Sequence, residues 1–387
     1  MKIDRIRFIR DDVAIWLVYA GRRRGYFDVF RETGSVFLSL PGFDANQRTF
    51  GSQEEIRRHL AMSDEVGKWL NGVRRDPPSR RASSYSPYPH KSGDSEAKSF
   101  SAEVGNIQRL FADAKVGDII LSPPIGHYDP FLVGEITKKW SKADDLEVQL
   151  LQNELVPTRK VRWLNVALAR RDFPPRVSRR MQNQHAITQL DTQYYEEVLG
   201  DIYPSYVWKN QSKLDIFGDS YTGTDPLQPY ESAKLVKFVA ASVFAFIDGK
   251  FDDFQNLNID DAIEVYYDET RVDEFGQSFN SPGKFSVTAA IAAFSILAST
   301  GLIIATADPK SNFDVIKSEA TETVRSAMSG ANKGQQQELL ENYAKSMRAK
   351  PWKRVQAEIG SRSNKTLPLN LSNEVEVATH KAELSAK

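Results

Sequence analysis

Val116-Gly117-Asp118-Ile119-Ile120-Leu121, Phe131-Leu132-Val133-Gly134-Glu135-Ile136 and Arg159-Lys160-Val161-Arg162-Trp163 are three short runs rich in β-branched and apolar residues. Segments of this length bounded by turn residues read as strands. They follow a short helical stretch, residues 105–114, that contains Phe111. In the third run Val161 and Trp163 alternate with Lys160 and Arg162, which gives a strand one apolar face and one cationic face. From Arg159 to Arg180 eight Lys or Arg stand against one acid, Asp172. Charge at that density on a strand pattern points to an anionic partner, with a solvated surface or a dock for an acidic region as the competing readings.

Working outward, residues 13–20 (VAIWLVYA) read as a buried strand closed by Gly21 and three arginines, and residues 35–40 as another, stopped by Pro41-Gly42. Ser52 begins a capped helix with Ile56, Leu60, Val66, Trp69 and Leu70 on its apolar side. Residues 74–101 are rich in Pro, Ser and Arg with almost no aliphatic residue, and read as a mobile insertion. Beyond residue 190 the pattern turns helical: 229–248 with Pro229 at its start, a strand at 263–267, an uncharged run at 285–307, and two polar helices over 312–359. The expectation is an α+β chain. A small mixed β-barrel-like N-terminal domain (1–190) leads through a linker (191–228) to a mainly α-helical C-terminal domain (229–360) for effector action or oligomerisation, with a flexible tail (361–387).

The chain has 387 residues, 41% hydrophobic and 26% charged, enough for two domains with their own cores. Its zero net charge hides an asymmetry: residues 1–190 hold 31 Lys and Arg against 23 Asp and Glu, and residues 191–387 hold 20 against 28. The absence of Cys excludes disulfides, a thiolate nucleophile and Cys-ligated zinc, and fits a reducing cytoplasm. The five His, at 59, 90, 127, 185 and 380, show no metal-ligand spacing, so no metal and no cofactor is expected. Charges in MKIDRIRFIRDD stand where a signal peptide needs its apolar region.

The order of these signposts resembles the N-terminal domain of Mrr-type restriction system proteins, a module similar to the PUA and EVE group. The pieces that carry the resemblance are Trp16 to Gly21, the helix near Glu54, Arg109-Leu110-Phe111, Val116 to Asp118, Val133 to Ile136, Arg159 to Trp163 and the Arg170-Arg171 turn. The resemblance covers slightly under half the chain and implies nucleobase binding. Such modules usually carry Arg where this chain has Tyr19, and Arg22 to Arg24 stand nearby as substitutes. Trp16, Trp140 and Trp163 are the candidates for stacking on a base, against a competing place in the barrel core. Tyr19, Arg22, Arg23, Lys138, Lys139, Arg159, Lys160, Arg162, Arg170 and Arg171 are the candidates for polar and phosphate contacts.

Three other readings attach to the second half. Residues 285–307 are long enough to span a bilayer, which suggests a membrane-acting effector at the inner membrane, or else a buried helix. Pro229-Tyr230-Glu231 resembles the opening of the nuclease domain that follows this module in the larger family. Asp260, Asp261 and Glu264 are then the acids of a diverged Mg²⁺ nuclease, although the acid and Lys pair that such chemistry uses is missing. Ile216 to Tyr221 resembles the serine block of GDSL-type esterases, but Val377 stands where the acid partner of His380 belongs, so the segment reads as a turn and no catalytic residue is assigned. The expectation for the whole is a cytoplasmic DNA-sensing component of a bacterial-type restriction or antiphage defence system. Its expected partners are DNA, a partner defence protein and further copies of itself.

Overall fold

A computed structural model describes residues 2–3, 6–46, 48–126, 128–181, 185–218, 227–278, 283–308, 310–330 and 333–362. In chain order the strands are β1 (Lys2–Ile3), β2 (Ile6–Ile9), β3 (Ile15–Val18), β4 (Ser35–Phe37), β5 (Ile119–Ser122), β6 (Leu132–Ile136), β7 (Leu146–Val148), β8 (Glu154–Val156), β9 (Thr158–Trp163), β10 (Ile187–Gln189), β11 (Ser205–Trp208), β12 (Gln211–Gly218), β13 (Val272–Ser278), β14 (Gly283–Ala289) and β15 (Ser329–Gly330). The helices are α1 (Phe27–Thr33), α2 (Gln53–Leu70), α3 (Ser95–Gln108), α4 (Pro175–Arg180), α5 (Tyr195–Ile202), α6 (Leu227–Ile247), α7 (Phe251–Phe254), α8 (Ile259–Tyr266), α9 (Phe294–Thr306), α10 (Phe313–Ala327), α11 (Lys333–Ser346) and α12 (Ala349–Arg362). The fold is mixed α+β, with a curled half-barrel in the N-terminal region and most helices in the C-terminal half.

Two compact units divide the chain at Asp11/Asp12 and Ile202/Tyr203. The Asp12–Ile202 unit holds a six-stranded sheet in the order β10-β3-β5-β6-β9-β4. β3 and β5 pair in parallel, which requires a long crossover, and α1 to α3 lie within it. Asp118, 1% exposed, ties that crossover shut: its carboxylate accepts the backbone N–H of Ala14 (3.1 Å) and Lys115 (2.8 Å) and the indole N–H of Trp16 (3.0 Å). The core gathers Trp16, Val18, Phe30, Val36, Phe37, Ile120, Ile136 and Val161 from the sheet and α1, with Ile56, Leu60, Val104 and Ile107 from α2 and α3. Ser52 caps α2 by accepting the Glu55 N–H at 3.4 Å.

The stretch 74–101, read as mobile, is anchored. Arg80 makes a two-pronged pair with Glu154 (both contacts 2.7 Å) and lies over the Trp69 ring. Arg58 donates to the Tyr85 carbonyl (2.9 Å), and from Ser95 the chain is already in α3, ten residues before the expected helix start. Anchoring comes from arginines, which is why a lack of aliphatic residues misled. Nor is 191–228 a plain linker: it contains α5, β11 and β12.

The other unit is built on a seven-stranded sheet, β13-β14-β12-β11-β2-β15 with β1 beside β12. Its first two strands come from the opening residues of the chain, and β2 runs parallel to both β11 and β15. Leu214, Ile216, Phe285 and Val287 from the sheet pack with Val239, Phe244, Leu297 and Leu302 from α6 and α9. The expected strand at 263–267 is instead the end of α8, whose first turn is capped by Asn258 accepting the Asp261 N–H (2.9 Å). Three helices, α10 to α12, occupy the place of the expected two. The uncharged run 285–307 is split between β14 and the 13-residue α9. At about 1.5 Å per residue α9 is far shorter than a bilayer core of about 30 Å. Among the described residues no helix is long and apolar enough to cross a membrane.

Candidate nucleic-acid interface

An open cleft of about 520 Å³ lies in the Asp12–Ile202 unit, walled by Phe27, Asp28 and Arg31 of α1, Ile125 to Val133 in part, and Trp163 to Ala167 where β9 runs out. In this wall Gly134 leaves the room that the Val161 and Trp163 side chains occupy over β6. Gly134 sits opposite Trp163 in the ladder, and a Cβ there would fall 2.6 Å from Trp163 Cε3 and 2.8 Å from the Arg162 carbonyl. The Trp163 indole N–H donates to the Phe30 carbonyl (2.8 Å), which fixes the ring between β9 and α1.

Two cationic segments lead into elements that wall or pack against this cleft. Arg22 to Arg24 form a tight turn that leads into α1, and Arg23 and Arg24 hold positive φ of 53° and 58°, a costly left-handed conformation for side-chain-bearing residues. Arg170 and Arg171 precede Phe173, whose ring packs edge-on against Phe131 in the cleft wall (5.3 Å). The segments meet around Tyr19. The Arg24 guanidinium lies 5.7 Å over its ring, and the Tyr19 hydroxyl donates to the Met181 carbonyl. Burial pushes the Tyr19 hydroxyl above its ordinary range, opposed by the nearby Arg24 and Arg170. Arg22, Arg23, Arg171 and Arg179 are exposed.

The other expected contact residues disperse. Trp16 is 4% exposed and its indole is spent on Asp118, so it is a core residue. Arg159 is 2% exposed: its Nη1 donates to the Leu110 and Phe111 carbonyls (3.2 and 3.4 Å) and Nη2 to the Ala114 carbonyl (3.1 Å), closing the end of the α3 segment. Burial lowers its pKa. A guanidinium so placed is a structural donor and not a phosphate contact. Lys160 donates to the Ser35 hydroxyl (2.9 Å) and Arg162 pairs with Glu135 (2.7 Å), so the cationic face of β9 is largely answered within the unit.

Lys138, Lys139 and Trp140 form a separate corner away from the cleft-lining residues. Lys138 pairs with Asp144 (2.6 Å), Lys139 is exposed, and the Trp140 indole donates to Asp145 (3.0 Å) while its ring meets Phe50 edge-on (4.9 Å). Burial pushes the Asp145 carboxyl up to about 6, opposed by the Trp140 hydrogen bond and Lys142. Of the three tryptophans, only Trp163 lines the cleft. Asp28, Arg31 and Asp129 were missed, because nothing in their local sequence marks residues brought together only by the fold.

In the other unit Asp260 pairs with Lys234 (2.7 Å), Asp261 is engaged with the capping Asn258, and Glu264 is exposed. Among the described residues no group of three or more His, Asp or Glu is arranged to hold a metal ion. Residues 219–221 of the esterase-like segment, His127 and His380 lie outside the described residues. Comparison with family models, curated proteins and solved structures returns no match.

Proposed function

We propose that the Asp12–Ile202 unit senses nucleic acid, and that the chain is the sensing component of a bacterial-type restriction or antiphage defence system whose other unit carries the response. The observation behind this reading is that Arg24 and Arg170, from two cationic segments, come together at Tyr19, in the unit that holds the cleft walled by Trp163. Guanidinium groups suit phosphates, and a cleft with an indole in its wall suits an unpaired base. The division of labour follows: cations hold the backbone of the strand, and the cleft receives a base that is flipped out or single-stranded. The resemblance of residues 13–190 to the PUA and EVE group supports the same reading.

The test is the affinity of the full chain for single-stranded, duplex and base-modified duplex DNA at two salt concentrations. Binding is expected to weaken with salt, to favour DNA with an unpaired base, and to fall by about tenfold in Trp163→Ala, which removes one base-stacking platform. No affinity for any of these at either salt concentration overturns the proposal.

A further inference from the structure

We infer that residues 75–84 form a strap held closed by an ionic latch, the pair of Arg80 with Glu154, and that breaking this pair lets the strap leave β8 while the unit stays folded. The segment has little apolar anchorage: Pro78 is buried, and Ser79, Arg80, Arg81, Ser83 and Ser84 are exposed. Other arginines tie its two ends. Arg74 pairs with Glu65 of α2 (2.5 Å), and Arg58 of α2 donates to the Tyr85 carbonyl (2.9 Å). Between these ties the strap closes on itself, because the Tyr85 hydroxyl donates to the Ser79 carbonyl (2.8 Å) and the Ser79 hydroxyl accepts the Arg81 N–H (3.3 Å). It therefore moves as one piece.

Among the described residues, Arg80 makes every ion pair and side-chain hydrogen bond that joins residues 77–84 to another element. Its guanidinium meets Glu154 through two contacts of 2.7 Å and lies 5.8 Å over the Trp69 ring. Gly42 provides the seat: its φ is 70°, and a Cβ there would stand 2.6 Å from Arg80 Nη1. A two-pronged pair of this kind is strong and directional. The Arg80 side chain is nevertheless 46% exposed against 17% for Glu154, so ions reach the latch from the strap side and screen it. With one buried residue, the strap exposes little apolar surface when it opens, and the latch carries most of what holds it down. Opening also frees the Arg80 charge near the exposed Arg75 and Arg81, so the open strap is the more cationic form.

The chain has no Cys, so a pair of introduced cysteines takes labels at known places. Spin labels at Ser83→Cys and Glu147→Cys stand on exposed positions of the strap and of β7, the partner of β8. Pulsed dipolar spectroscopy of the full chain at low salt is expected to give one narrow distance. Adding Glu154→Gln is expected to raise the population at longer distance about tenfold, the scale of one charge-assisted hydrogen bond. Arg80→Lys keeps the charge without the fork and gives a smaller rise. Salt of about 1 M, where the screening length falls to about 3 Å, opens the unaltered latch and adds nothing in Glu154→Gln. Melting curves are expected to keep the transition of the unit in every variant. An unchanged distance in Glu154→Gln, an equal response to salt with and without Glu154, or loss of the unit's transition in Glu154→Gln overturns the inference.

Discussion

Arg159, Val161 and Trp163 share one side of β9, and that side is turned into the unit, so the guanidinium of Arg159 is used to close the backbone around Ala114. Replacing it with Ala leaves three carbonyls without their donor and is expected to cost about 3 kcal/mol of stability in urea unfolding, with the salt dependence of DNA binding unchanged. The alternation of that strand was legible in the sequence; that the arginine at its start belongs to the apolar side was legible too, since 159, 161 and 163 are two apart, but charge suggested the opposite. Asp145 makes a pH prediction. Its folded pKa is raised from 3.8 to about 6, so the folded state binds this proton more tightly than the unfolded one. The stability it lends is full below about 4 and disappears as pH rises to about 6. Trp140 emission is expected to titrate with a midpoint near 6, and Asp145→Asn to abolish that step.

Gly134 decides an element, the way β9 and its side chains lie against β6. Its Cβ space is filled by Val161 Cγ1 at 2.5 Å, Trp163 Cε3 at 2.6 Å and the Arg162 carbonyl at 2.8 Å. Gly134→Ala must part the strands and is expected to cost about 2 kcal/mol or more, with a fall in DNA affinity because Trp163 shifts with β9. Calorimetry and anisotropy together check this, and unchanged affinity would separate Trp163 from binding. The strands at 119–122, 132–136 and 158–163 were legible because turn residues bound each one. The break between β14 and α9 was not, since Ala290 to Ala293 carry neither Gly nor Pro to mark it. The limits of α3 and α8 likewise depend on tertiary partners: Arg159 holds the turn that follows the first, while Ile259 and Ala262 bury the apolar side of the second.

At the scale of the whole molecule the chain opens in one unit, builds the other, and returns. Ile6 is fully buried and Phe8 5% exposed in β2, a strand that lies between β11 and β15, so the first residues belong with Tyr203 onward. Deleting residues 1–9 is expected to destabilise that unit by about 5 kcal/mol, because apolar burial and strand pairing are both removed, while the Asp12–Ile202 unit keeps its own transition in proteolysis and denaturant experiments. Such discontinuity is invisible to a linear reading, in which four residues of β2 carry no sign of a partner some two hundred residues away. The division into a basic half and an acidic half, by contrast, was legible from residue counts alone. The central claim is that arginines beside the Trp163 cleft hold a nucleic-acid backbone, and the most direct measurement is the slope of log affinity against log salt for single-stranded DNA. The account predicts that replacing Arg22, Arg23, Arg170 and Arg171 together with Gln reduces that slope by about 3, at roughly 0.7 for each phosphate no longer neutralised. An unchanged slope, or no measurable binding by the unaltered chain, would contradict it.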